Sequence, residues 1–308
     1  MRTFGVRLGR PQASSVVSPA AIRQHAEEAA ARLPALMVAA ERVAATVAQG
    51  VHGRRRVGQG ETFWQFRRYE QGDTVQSIDW RQSAKTEYLF VRETEWEAAQ
   101  SVWLWRDASP SMRYGSERAL PEKAERADVL LLAMASLLVR GGERIALMDG
   151  ARPASGRAAL ENLALKLTAQ ADGDVTDSLP PFMALPRHGQ LVLFGDFLAP
   201  LEEIEARFRR FAAQGVKAYV MQVLDPAEET LPFRGRTRFE GLEDEGRVLV
   251  KRVEVVRADY HGRISGHIEG LRGLCRRIGW SYGLHRTDRS PESALLTAYM
   301  ALSALLAR

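Results

Sequence analysis

Apolar positions along this chain alternate between two periods. Unbroken apolar runs read as strands covered on both faces: Ser101 to Arg106, Arg144 to Met148, Gln190 to Gly195, Val216 to Leu224 and Trp280 to His285. Between them the spacing becomes helical. Pro121 opens a segment carrying Ala124, Ala127, Val129 to Leu131, Ala133, Met134 and Leu137 to Val139, which closes at Gly141-Gly142. Further helical patterns cover Ala158 to Ala169, Leu201 to Gln214 (Ile204, Phe208 and Phe211 on one face), Asp259 to Ile278 (Ile264, Ile268, Leu271, Cys275, Ile278) and Glu292 to Ala307. Strands alternating with helices at this spacing predict an α/β fold, an open and mostly parallel Rossmann-type sheet with helices on both faces.

The flanking segments read differently. Residues 1–18 are aperiodic and look like a flexible leader. Pro19 and Pro34 each open a short Ala-rich helix, so 19–49 is a pair of N-terminal helices. Residues 50–97 change texture, with aromatics interleaved among arginines. Within them Tyr88 to Thr94 alternates like a strand and is expected to pair with the strand at 101 as an antiparallel hairpin on the sheet edge. Residues 98–308 form the main domain, with a β-hairpin insertion at about 233–256 around Glu243-Asp244-Glu245-Gly246. Gly262, Gly266 and Gly270 recur every fourth residue of a helix, which predicts close approach of a neighbour along that face.

The first strand ends in Asp107-Ala108-Ser109-Pro110-Ser111, an acid and two hydroxyls at alternate positions where open α/β sheets hold ligands. Hard oxygen donors around a small cavity suit Mg²⁺, with Mn²⁺ or Ca²⁺ in the same role. Thr176 on a later loop and Asp196 at the end of the run Leu191 to Gly195 complete a set that resembles the metal-ion-dependent adhesion site (MIDAS) of von Willebrand factor A domains. The resemblance implies that Ser109, Ser111 and Thr176 meet the ion directly or through water, that Asp107 and Asp196 orient ligands or bind through water, and that a partner's carboxylate fills the remaining position. The alternative is a metal-free loop whose Ser and Asp cap the following helix.

The run Phe63, Arg67, Tyr69, Gly72-Asp73, Ile78-Asp79-Trp80-Arg81, Ser83-Ala84 and Arg92-Glu93 resembles the signature of the bacterial family catalogued as domain of unknown function 58 (DUF58). In that family the signature leads into a von Willebrand factor A-like domain. Gly195-Asp196-Phe197, Asp225-Pro226-Ala227-Glu228, Leu231-Pro232-Phe233 and Thr287-Asp288 extend the likeness over roughly residues 50–300. Lys85 departs from it, since an arginine is usual there and a bidentate fork is lost. The resemblance implies a non-enzymatic adaptor or co-chaperone working with a MoxR-type AAA+ ATPase on client proteins. The aromatic–arginine run itself reads as structural, because Glu70, Asp73 and Asp79 would repel a phosphate backbone.

Composition narrows the remaining classes. At 308 residues and 45% apolar the chain can bury a full core, and one cysteine, Cys275 on an apolar stripe, excludes an internal disulfide framework. The formal charge of +5 is local: residues 234–308 carry 14 basic and 9 acidic side chains. A nucleic-acid binder built on those arginines is an alternative, but not the expected function. The N-terminus lacks the apolar core of a signal peptide. The longest apolar run, Val129 to Val139, is about half of the roughly 20 residues a membrane span needs. A cytoplasmic protein without a membrane span is expected. Gly53 to Gly60 lacks the Lys-Ser/Thr of a phosphate loop, and Phe63 stands where a dinucleotide fingerprint needs glycine. The six histidines show no zinc spacing. A Mg²⁺-dependent phosphohydrolase using Asp107 and Asp196 is the credible enzymatic alternative, short of a general base and a phosphate clamp.

Overall fold

The computed structural model describes residues 36–48, 63–69, 78–94, 100–171, 177–187, 189–242 and 246–306. The leader, the first N-terminal helix, Gly72, Asp73 and Thr176 lie outside them.

Five parallel strands form the central sheet: β3 (Ser101–Arg106), β4 (Arg144–Leu147), β5 (Gln190–Gly195), β6 (Lys217–Leu224) and β9 (Ser281–Arg286), in the order β4-β3-β5-β6-β9. A single bridge, Ile145 to Ala154, runs antiparallel on the outer side of β4. Every residue of β5, and all but the first of β3, is buried, which is why both read as unbroken apolar runs. Alternate side chains feed two cores. Val102, Leu104, Val192, Phe194, Tyr219 and Met221 meet α3 (Lys123–Arg140), α4 (Arg157–Ala171), α8 (Pro291–Leu306) and the helix at 36–48, here α1. Trp103, Trp105, Leu191, Leu193 and Val220 meet α5 (Leu201–Ala212) and α7 (Val253–Arg277). The expected Rossmann-like open sheet with helices on both faces is therefore the fold. Cys275 is buried in the second core, and burial pushes its thiol up to about 12.

Three expectations need correction. The strand at Phe90–Thr94 (β2) does not pair with β3. It pairs antiparallel with β1 (Phe63–Arg68) in a sheet of its own, because β3 already has β4 and β5 on its two edges. The family-signature segment, expected to be β-rich, thus contributes both strands of this small sheet, plus a short helix α2 (Trp80–Ser83). The helical glycines also behave unequally. A Cβ on Gly270 would stand 2.5 Å from Leu201 of α5, whereas Gly262 and Gly266 have nothing within 4 Å. Only Gly270 serves a close approach. Finally, the hairpin insertion, β7 (Thr237–Glu240) with β8 (Arg247–Val250), ends earlier than expected, since α7 begins at Val253.

Between β6 and the hairpin lies a one-turn helix, α6 (Pro226–Thr230), closed by a reciprocal capping box. Asp225 accepts from Ala227 N at 2.8 Å, and Glu228 accepts from Asp225 N at 2.9 Å. Among the described residues no helix is long and apolar enough to cross a membrane.

His285 on β9 is buried, and its Nε2 has no hydrogen-bond partner among the described residues. Burial, with the nearby positive charge of Arg126, depresses its pKa to about 4. The unfolded chain binds this proton near pH 6.5 and the folded chain does not, so stability is complete above 6.5 and falls as pH drops toward 4. The loss amounts to about 2–3 kcal/mol. Chemical denaturation of the wild type and His285→Leu across this range checks it: the variant's stability should be flatter with pH.

Candidate metal centre

The chain order of the sheet reverses at β3, whose successor β4 lies on one side and β5 on the other. The carboxyl ends of β3 and β5 are therefore adjacent, and their next residues are Asp107 and Asp196. The β3–β5 ladder runs on into Asp107, whose N–H donates to Phe194 O at 2.8 Å. Gly195 makes the approach feasible: a Cβ there would stand 2.9 Å from Asp107 Cβ and 3.4 Å from its Oδ2.

Asp107 Oδ1 accepts from Ser109 N at 2.9 Å, and the hydroxyls of Ser109 and Ser111 lie 3.0 Å apart. Ser111 also hydrogen-bonds the Asp196 carboxylate. Four of the five expected ligands thus come together; the fifth, Thr176, lies outside the described residues. Ser109 precedes a single 3₁₀ turn, Pro110–Met112, but its hydroxyl makes no capping bond, and α3 starts only after Glu122. The serines therefore do not simply cap a helix.

Asp107, Ser109 and Asp196 are buried while Ser111 and Pro110 are partly exposed, so the cluster faces outward through Ser111. Asp107 Oδ2 has no hydrogen-bond partner among the described residues. Burial, and secondarily the charge of Asp196, raises the Asp107 pKa well above the usual carboxylate range. An acceptor oxygen left in this state is costly unless something else binds it.

The backbone beyond Asp196 is held from two sides. Gln222 on β6 donates to Asp196 O at 2.8 Å and accepts from the Tyr282 hydroxyl at 2.6 Å. Phe197 follows in the left-handed region at φ 47°, with its carbonyl against His267 Nε2 at 2.7 Å. A fully buried phenylalanine in that conformation costs energy that the packing of Trp105 and Phe208 around its ring must offset.

One component was not expected. Lys123, the first residue of α3, is completely buried, with Nζ 2.8 Å from Asp196 Oδ2 and 2.6 Å from Glu228 Oε1. Burial works against its charge, but the two carboxylates outweigh that and raise its pKa. Burial would likewise raise Asp196, yet Lys123 holds it below the usual range; Glu228 remains raised, burial prevailing over Lys123. The available signal was positional. Lys123 shares a helix face with Ala127, Leu130 and Leu131, all fully buried.

Oxygen donors dominate the arrangement, and three carboxylates (Asp107, Asp196, Glu228) face one ammonium. The Asp107 oxygen left without a partner among the described residues, and this acid excess, fit a hard divalent cation held by Asp107, Ser109, Ser111 and Asp196. Among the described residues no three His, Cys, Asp or Glu side chains form a metal cluster, so any such ion would depend on the hydroxyls.

The signature residues sit away from this cluster in sequence, and several of the described ones serve local structure. Asp79 caps α2 by accepting from Gln82 N at 2.9 Å. Ser83 is buried, donates to Asp79 O and accepts from Phe90 N, both at 2.8 Å. Tyr69 N donates to Leu89 O, and Arg92 lies opposite Phe66 in the β1–β2 register that also holds Phe63 and Arg67. Trp80 is 60% exposed and Arg81 is exposed, so neither side chain is buried in the fold.

A family model described as "Protein of unknown function DUF58" matches residues 65–269. The chain belongs to the DUF58 family. Relatives of this DUF58 chain include the uncharacterized proteins Mb1516 of Mycobacterium bovis and Rv1480 of Mycobacterium tuberculosis. Each is 27% identical over 249 residues, covering 75% of this chain and 76% of the relative. Among solved structures it is similar to the conserved hypothetical protein BatB of Bacteroides thetaiotaomicron (15% identity, TM-score 0.36, 68% of this chain and 100% of that one). A second is an aerotolerance-related membrane protein of Bacteroides fragilis (15%, 0.35, 67% and 100%).

Proposed function

We propose that this chain is a non-enzymatic protein-binding adaptor that docks its partner through a divalent cation. Asp107, Ser109, Ser111 and Asp196 would hold the ion in a MIDAS-like site, with Thr176 as a further donor, and the loops would form a von Willebrand factor A-like docking face. The observation that carries this reading is the buried Asp107 Oδ2, without a hydrogen-bond partner among the described residues, beside two hydroxyls at the switch point of the sheet. A bound Mg²⁺ would supply an electrophilic position for a partner's carboxylate. The protein's own groups do the rest: Ser111 opens the cluster to the surface, and Gln222 and Lys123 hold Asp196 still.

The partner class, a MoxR-type AAA+ ATPase together with its client, follows from the DUF58 resemblance. Phosphohydrolysis is less well supported, because the one lysine in the cluster is already committed to Asp196 and Glu228 and is not offered to a phosphate. Binding of the purified chain to a purified MoxR-type ATPase, followed by calorimetry in Mg²⁺ and then in EDTA, tests the proposal. Binding should vanish in EDTA and return with Mg²⁺; equal affinity in both overturns it.

A further inference from the structure

Lys123 places a fixed positive charge against a carboxylate of the same cluster that is read above as a cation site. Its burial is complete, and a lone buried ammonium is strongly disfavoured, so its two partners decide where it rests. Asp196, just past β5, and Glu228 on α6 both hold it, at 2.8 and 2.6 Å, while the Tyr114 ring centroid lies 5.9 Å from Nζ. Glu228 is itself fixed through its other oxygen by the Asp225 N–H, and Asp225 accepts from Ser116 N at 2.9 Å. The ammonium is thus shared between a carboxylate of the site and one outside it.

We infer that Lys123 is a resident counter-cation that competes with the divalent ion for Asp196 and so sets the ion affinity of the site, with Glu228 drawing the ammonium away. This rests on the reading of the cluster as a cation site. Two charges of like sign near one carboxylate repel each other, and at the low effective dielectric of a buried site the repulsion is large. Lys123 thus already neutralises one of the two strand-end acids. An ion entering the site would push the ammonium toward Glu228, so occupancy at the sheet is felt at α6.

The two partners of Lys123 give opposite expectations. Lys123→Met removes the competitor and should bind Mn²⁺ at least about tenfold tighter than wild type, by calorimetry or by the paramagnetic signal of free Mn²⁺. Its melting temperature without metal should fall, because two buried carboxylates lose their counter-charge, and Mn²⁺ should restore it. Glu228→Gln keeps the shape of the capping box but leaves the ammonium on Asp196 alone, so it should bind Mn²⁺ several-fold more weakly. A merely structural lysine predicts weaker binding by Lys123→Met, and by Glu228→Gln only in step with a lower melting temperature. Unchanged or weaker binding by Lys123→Met, with the wild type binding, overturns the inference and leaves the cation site standing. If Lys123→Met does not fold, Glu228→Gln decides: unchanged or tighter binding overturns it. If neither the wild type nor either variant binds Mn²⁺, the cation site falls and the inference with it.

Discussion

Asp107→Asn should abolish divalent-ion binding, weakening it by about 100-fold or more, while the protein melts at the same or a higher temperature. The asparagine keeps an oxygen for Ser109 N, so the loop retains its turn, but the buried charge that the ion would neutralise is gone. The stability half of this expectation follows from the raised pKa of Asp107. A carboxyl whose folded pKa lies above its unfolded value is less comfortable ionised in the folded state, so at neutral pH it subtracts from stability, and removing it gives that back. Titration with Mn²⁺ and thermal melting in EDTA measure the two halves separately. A variant that loses binding together with its fold would say only that Asp107 is structural, and a variant that binds as well as wild type would end the case for a metal-centred dock.

Arg106→Met should cost about 3–5 kcal/mol of folding stability, the range for breaking a buried ion pair from one side. Arg106 is the last residue of β3 and is buried, with Nε 2.8 Å from Asp128 Oδ1 on α3 and Nη2 donating to Leu167 O on α4 at 3.2 Å. Without it Asp128 stays buried with no counter-charge. Burial already raises the Asp128 pKa to about 6 against the pull of Arg106. Asp128→Asn added to Arg106→Met should therefore recover part of the loss. Urea denaturation of the two single variants and the double variant gives the coupling; strictly additive losses would show that the pair does not act as a unit.

The parts of the fold that were legible in the sequence share a physical cause. β3 and β5 are covered on both faces, so neither offers a polar alternation, and an acid straight after such a run marks the carboxyl edge of a parallel sheet. The same cue was underused for β2. A strand as uniformly apolar as β3 belongs in the middle of a sheet, which leaves no edge free for Phe90–Thr94, and that strand found β1 instead. The glycine rhythm of α7 over-predicted contact, because periodicity marks a face but not its occupant. Leu201 meets Gly270 alone.

Lys123 escaped because lysine is by habit a surface residue, and its partners are 73 and 105 positions away. Trp80 erred the other way: a tryptophan within a distinctive run suggests an anchor, yet here its neighbour Asp79 carries the local structure by capping α2. Arg106 reads in the sequence as a polar strand end beside Asp107, yet its ion pair holds the strand to α3 just where the loop begins.

The long separations among Asp107, Lys123, Asp196 and Glu228 carry a kinetic corollary. Each contact closes a large stretch of chain, and closure entropy must be met before any of them helps. β5 has to slot between β3 and β6 before the acids can face each other, so no fragment ending short of α6 can present the whole constellation. The complete arrangement, with the ammonium held between both acids, should emerge late and all at once during refolding, as a marker of the completed molecule and not of any of its pieces.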